Sequence, residues 1–236
     1  ARVATLPSFL AMLFFAVHPL RIESVVWISE RKDVLCALFY FSSLACWMAS
    51  YRYKRWGAGF VAVSIVFALL AMLAKAMAIS LPIIFILYDV LLGEGFNRKR
   101  IAIYTFLIAG AAAIAVANRA AQHTAVITAL SLGERIKIVL WSPVHYLGST
   151  LWPRGLCALY PYEERPTLRI LPTLAGALCS SVLIAVAVIV RRRAPGVTFA
   201  IFAAGACLAP VSGIVAFGSA YAADRYSYIP MMLVIL

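Results

Sequence analysis

The chain has 236 residues, of which 64% are hydrophobic and 13% charged, an apolar load well above the roughly 45–50% of soluble domains. Its net charge is +12, but the bases sit in short hydrophilic breaks, "YRYKRW" (51–56), "NRKR" (97–100) and "RRR" (191–193). No recognisable binding module accompanies them, which argues against a nucleic-acid partner.

In chain order, apolar runs at 5–17, 34–50, 58–74, 77–92, 101–117, 170–190 and 197–217 predict seven membrane spans, and an eighth begins near Ile229. Runs near 20 residues suit a bilayer crossing. Each span must be helical, because lipid offers the backbone no hydrogen-bond partner, and the polar–apolar alternation of a membrane barrel is absent. The predicted fold is all-α, a polytopic transmembrane helix bundle forming one membrane domain over 1–236. Five cysteines lack metal-ligand spacing. Cys36, Cys46, Cys179 and Cys207 lie in apolar runs and read as small buried hydrophobes, and Cys157 lies in a loop.

Short basic loops mark the cytoplasmic side of a bundle. Placing all three inside makes 34–50 run from outside to inside and makes 58–92 a tight hairpin with Lys75 near its outer turn. It leaves "ADRYSYIP" (223–230) outside as well. Segment 118–167 then begins and ends outside. Its part 136–152 contains Pro143 and Gly148, and is predicted to be an interfacial or re-entrant helix, with a true span as the alternative.

The predicted outer breaks carry mixed charge. "HPLRIESVVWISERKDVL" (18–35) holds His18, Glu23, Glu30, Arg31 and Asp33. If 22–33 is one helix, the 100° step puts Glu23 and Glu30 nearly on one face, with Arg31 and Asp33 to either side. Two carboxylates beside a guanidinium could anchor a cation, hold a phosphate clamp or position an acceptor. The plainer reading is a solvated linker with weak ion pairs. Lys75 could reach an anionic headgroup or simply snorkel to the interface. Trp152, Tyr160 and Tyr162 of "WPRGLCALYPY" (152–162) suit a groove wall or an aromatic interfacial belt, and Glu163, Glu164 and Arg165 follow them. Arg225 offers a fork for phosphate, or pairs with Asp224 to fix its loop. His123 and His145 stand alone and suggest no metal site.

These four stretches, with "LAKAMAISLPIIFILYDVLL" (73–92) as the second, resemble in order the membrane domain of bacterial relatives of the transmembrane O-mannosyltransferases with tetratricopeptide tails. The resemblance implies a GT-C-like glycosyltransferase in the bacterial inner membrane. Its donor would be a polyprenyl-phosphate sugar, mannose-like, and its acceptor a protein hydroxyl on the outer side. It implies donor-phosphate roles for Arg31, Arg225 and Lys75. His18, Glu23, Glu30, Asp33 and Asp224 would position the acceptor or support the bases, with Trp152 and Tyr160 as groove wall. A divalent cation is one optional cofactor, and membrane lipids are further partners. The family's acidic first outer loop is not in this sequence, so the catalytic Asp is expected upstream of Ala1, and the tetratricopeptide repeats downstream.

Two other readings stand beside this one. A transporter needs charged or broken helices near mid-membrane in both halves, whereas the charges here bunch at loop positions. A structural or accessory subunit would have Glu23, Arg31 and Arg225 paired off or facing solvent.

Overall fold

In a computed structural model, residues 5–93, 95, 97–121, 131–161, 170–212 and 220–235 are described. Tyr162, Glu163, Glu164, Arg165 and His123 lie outside them. Ten α-helices follow in order: α1 (Thr5–Val17), α2 (Ile22–Val26), α3 (Arg31–Arg52), α4 (Gly57–Ala74), α5 (Leu81–Leu91), α6 (Arg98–Ala121), α7 (Leu132–Leu151), α8 (Ile170–Val190), α9 (Pro195–Leu208) and α10 (Tyr228–Ile235). A single antiparallel pairing joins β1 (Tyr160–Pro161) to β2 (Ala220–Ala222).

Four helices are long and apolar enough to cross a membrane: Ile28–Arg52, Lys54–Ala74, Arg98–Ala117 and Ile170–Val190. A fifth span results if Leu6–Val17 and Pro19–Val26, bent by 61° at His18, act as one. Among the described residues, two runs read as spans from hydropathy hold apolar helices below the length of a full crossing, Ala76–Leu91 and Pro195–Val211. The protein is thus a helical membrane protein, with four to five apolar spans among the described residues. Pro82 explains part of the shortening. It sits at the start of α5, after the 3₁₀ turn Ala76–Ser80, where its missing N–H costs nothing.

Helix α3 organises the bundle. Asp33, Cys36, Ala37, Tyr40, Ser43, Leu44, Trp47 and Ser50 are buried along it, a stripe at three- and four-residue spacing. Its opposite side exposes Leu35, Leu38 and Met48, as lipid contact demands. Helix α4 meets the stripe with Ser64, Ala68 and Ala71, small residues that let two backbones approach. Ser43 and Ser64 exchange hydrogen bonds across the seam, Oγ to carbonyl, at 2.7 and 2.8 Å. Helix α8 exposes Leu171, Leu174, Leu178, Val182 and Ile189, so most of its surface awaits lipid.

One end of the bundle gathers the three basic breaks. Asp89 of α5, wholly buried, accepts from Trp47 Nε1 at 2.7 Å, from Arg100 Nη1 at 2.9 Å and from the Tyr104 hydroxyl. The Arg100 guanidinium lies 3.9 Å from the Tyr51 ring centre and 4.5 Å from that of Trp47, and its Nη2 reaches Ser50 at 3.0 Å. Tyr51 meets Tyr88, and Tyr88 meets Phe199 at the start of α9. Thr198 Oγ1 donates to the Ala187 carbonyl at 2.9 Å, which ties Arg191–Arg193 to the same end.

Helix α7 is continuous through Pro143 and starts with a capping box at Ser131 and Glu134. Its Ile138 and Trp141 cluster with Ala222. Farther along, Tyr146 donates to the Ala223 carbonyl at 3.2 Å and the Thr150 carbonyl accepts from His18 Nε2 at 2.9 Å. Both halves of α7 therefore lie against the layer formed by the loop motifs. Gly176 of α8 fits against it so closely that a Cβ would fall 2.1 Å from the Leu140 carbonyl oxygen. Replacing Gly176 with Ala is expected to push α8 off α7 and to lower stability by about 1–3 kcal/mol, the usual cost of overpacking. Thermal unfolding in detergent checks this, and a melting temperature equal to wild type would show that the two backbones do not touch.

Candidate functional site

The other end of α3 gathers the four loop motifs. The stretch 22–33 is not one helix. It breaks into α2, an extended Trp27 (φ −76°, ψ 114°), a 3₁₀ turn Ile28–Glu30 and the start of α3. The Ser24 hydroxyl donates to Asp33 Oδ2 at 3.1 Å, folding the two pieces together. The helical-wheel grouping of Glu23 with Glu30 is thus replaced by a bend, and they meet through a third residue, Arg225.

Arg225 comes from the 3₁₀ turn Asp224–Ser227, 202 residues along the chain from Glu23. Its Nη1 donates to Glu23 Oε1 and its backbone N–H donates to Glu23 Oε2 at 3.0 Å. Its Nε lies 3.8 Å from Glu30 Oε2. Lys75, at the end of α4, lies 3.8 Å from the same oxygen and donates to Asp33 Oδ1. Charges therefore alternate along a chain from Glu23 through Arg225, Glu30 and Lys75 to Asp33. The side chains of Arg225, Glu30 and Lys75 are 13%, 7% and 14% exposed, so this is not a solvated linker. Glu30 Oε2 is buried and has no hydrogen-bond partner among the described residues, although two cations flank it.

Burial works against the charge on Arg225, but Glu23, Tyr226 and Glu30 together outweigh it and the guanidinium pKa ends above its usual value. Asp224 does not pair with its neighbour Arg225. It accepts from the Tyr160 hydroxyl at 3.0 Å. Burial pushes the Asp224 carboxyl above the usual range, against the opposing pull of that hydrogen bond.

Several expectations need correction. Arg31 is exposed and has no ion pair among the described residues; the first turn of α3 points it away from the cluster that Glu30 and Asp33 enter. Lys75 does not snorkel, because two carboxylates hold it inside. His18 is buried, and both ring nitrogens are engaged with backbone, Nε2 with Thr150 and Nδ1 with the Leu20 N–H at 3.3 Å. It braces the bend after α1. Trp152 is 64% exposed with Arg154 4.9 Å from its ring centre. No group of three His, Cys, Asp or Glu suited to a metal occurs among the described residues, and Glu23 and Glu30 already face Arg225.

Two buried charges were missed by the sequence reading. Asp89 stood alone in an apolar run, which is itself a signal, since an ionisable group in a span needs a partner. Arg21 lies in the motif 18–35 but was not singled out. It is 4% exposed, and its Nη2 donates to Ser227 Oγ at 2.9 Å.

Geometry and composition define an integral membrane protein with a buried, charge-alternating cluster at one end of its helix bundle. The human protein O-mannosyl-transferase TMTC4 is 36% identical to it over 95 residues, which cover 38% of this chain and 13% of that relative. The chain is thus distantly and partially related to a membrane O-mannosyltransferase, and spans a small fraction of its length. That relative is human, so the likeness says nothing for a bacterial origin. No known family model matches the chain, and no solved structure matches it.

Proposed function

We propose that this chain is part of a GT-C-like membrane glycosyltransferase. It moves a mannose-like sugar from a polyprenyl-phosphate donor to a protein hydroxyl, with the four loop motifs on the outer side of a bacterial inner membrane. The observation that best supports this reading is the Glu30 carboxylate: a buried oxygen without a hydrogen-bond donor, flanked by Arg225 and Lys75. Such an oxygen can accept from an incoming hydroxyl, while the neighbouring cations lower the energy of a departing phosphate. Glu23 and Asp33 hold those cations in place when the site is empty, as buried charges require. Asp224 and Tyr160 form the adjoining wall.

The topology behind this reading is open to a direct test. The basic breaks and the motif loops lie at opposite ends of α3, and the 22 residues of that helix span about 33 Å at 1.5 Å each, close to the bilayer core. In a background with the native cysteines replaced, a cysteine at Lys32 is expected to react with a membrane-impermeant thiol reagent added outside. One at Arg192 should react only after permeabilisation. Labelling of both from the same side would remove the reading.

The pairing of Arg225 and Lys75 with carboxylates also favours a second reading, a structural subunit whose ionic cluster only holds α2, α3, α4 and α10 together. Sugar transfer by the full-length protein, with a polyprenyl-phosphate sugar and a peptide acceptor, separates the two. Transfer that is absent from wild type, in a preparation shown to be folded, leaves the structural reading.

A further inference from the structure

Arg21 is the buried cation that the cluster does not use. Among the described residues its Nε and Nη1 have no acceptor, and no carboxylate lies within ion-pair distance. Its guanidinium carbon instead lies 4.8 Å from the Phe15 ring centre and 5.5 Å from that of Tyr228. These two rings, with Met12, Val25 and Met232, line a cavity of about 380 Å³ between α1 and α10, and Arg21 forms part of its wall. Met12 lies more than a helical turn before the end of α1, and Met232 a turn beyond Tyr228 on α10, so the cavity extends from the motif end along both helices. The flank of α1 beside it exposes Leu6, Phe9 and Leu13, the surface expected to face acyl chains.

We propose that this groove is a binding site for an anionic glycerophospholipid of the surrounding bilayer, with one acyl chain between α1 and α10 and its phosphate on Arg21. The chemistry is complementary at both ends. A guanidinium carries five donors in a fixed fork that suits phosphate, and only one of its nitrogens is engaged here. The rings on either side can share a cation with an anion, since cation–π contact weakly satisfies the charge and leaves the in-plane N–H groups free. A groove open to the acyl-chain region fills by mass action with the lipid that the bilayer holds in excess, which selects a bulk phospholipid over a scarce donor lipid. The site stands independently of the glycosyl-transfer reading.

The test is native mass spectrometry of the full-length protein released from detergent. The probes are phosphatidylglycerol, phosphatidylcholine with the same chains, a polyprenyl monophosphate and inorganic phosphate. Wild type is expected to retain phosphatidylglycerol over phosphatidylcholine by about tenfold or more, because the choline ammonium neutralises the headgroup and is repelled by the Arg21 guanidinium that holds the phosphate. Arg21→Gln should abolish that preference, and Arg21→Lys should keep part of it. Ala16→Phe leaves Arg21 intact but blocks the groove, and should lose both lipids. Equal retention of the two lipids by wild type overturns the proposal, as does an unchanged preference in Arg21→Gln. Displacement of phosphatidylglycerol by equimolar polyprenyl monophosphate reassigns the groove to the donor lipid and also overturns it. Competition by inorganic phosphate alone reduces it to an anion site without a lipid, with the same consequence.

Discussion

Arg225→Lys in the full-length protein is expected to leave the bundle folded and to cut sugar transfer by about tenfold or more, with Arg225→Ala lower still, in the range of 10²–10³ for a lost transition-state donor. Lysine keeps the positive charge between Glu23 and Glu30, so the buried carboxylates remain compensated. What it loses is the planar fork, which lets one side chain donate to Glu23 through Nη1 while Nε stays within 3.8 Å of Glu30. Alanine removes the charge as well and leaves two acids facing each other in a buried site, so a drop in stability accompanies its drop in turnover. The lysine variant is therefore the diagnostic one. Steady-state transfer, with a melting curve for each variant, makes the measurement. A lysine variant that melts like wild type and turns over at the wild-type rate would reduce Arg225 to a structural clamp.

The second large effect concerns stability at the opposite end. Asp89→Ala removes the common acceptor of Trp47, Arg100 and Tyr104. Arg100 keeps Ser50 and its aromatic neighbours but loses its carboxylate, and the Trp47 N–H loses its acceptor in the core. Breaking a buried pair from one side costs about 3–5 kcal/mol. Asp89→Asn retains an acceptor for Trp47 and should cost less. Denaturant unfolding in mixed micelles reads both, and transfer activity should survive in whatever fraction stays folded, because Asp89 lies at the far end of α3 from Arg225. A cost for Asp89→Ala within about 0.5 kcal/mol of zero, the range of an ordinary surface change, would contradict the hydrogen-bond arrangement described here.

Hydropathy by itself determined that the chain is helical and membrane-embedded, because in lipid the backbone has no other way to satisfy its hydrogen bonds. Charge placement divided the loops into a basic set and a mixed set. The packing keeps that division: Arg100, Tyr51 and Phe199 share one end, and Arg225, Glu30 and Lys75 share the other. Hydropathy did not fix the length of each span. The run 77–92 looks as apolar as the others, yet it opens on a 3₁₀ turn and Pro82 and falls short of a full crossing, with Lys75 of the ion pair just before it. Nor could periodicity foresee the bend at Trp27, since a helical wheel assumes the helix it is meant to test.

Tertiary structure alone decided which charges meet. Glu23 and Arg225 are 202 residues apart, and no local pattern links them. The resemblance offers both Arg31 and Lys75 as donor-phosphate cations, but one lies on the exposed side of the first turn of α3 and the other closes a pair with Asp33. The physical reason is that burial in a bundle depends on which face a neighbouring helix covers. Sequence shows each residue's chemistry and spacing along its own helix. Only the packing of α1 and α10 around α3 shows that Arg21, not Arg31, is the buried arginine with donors to spare.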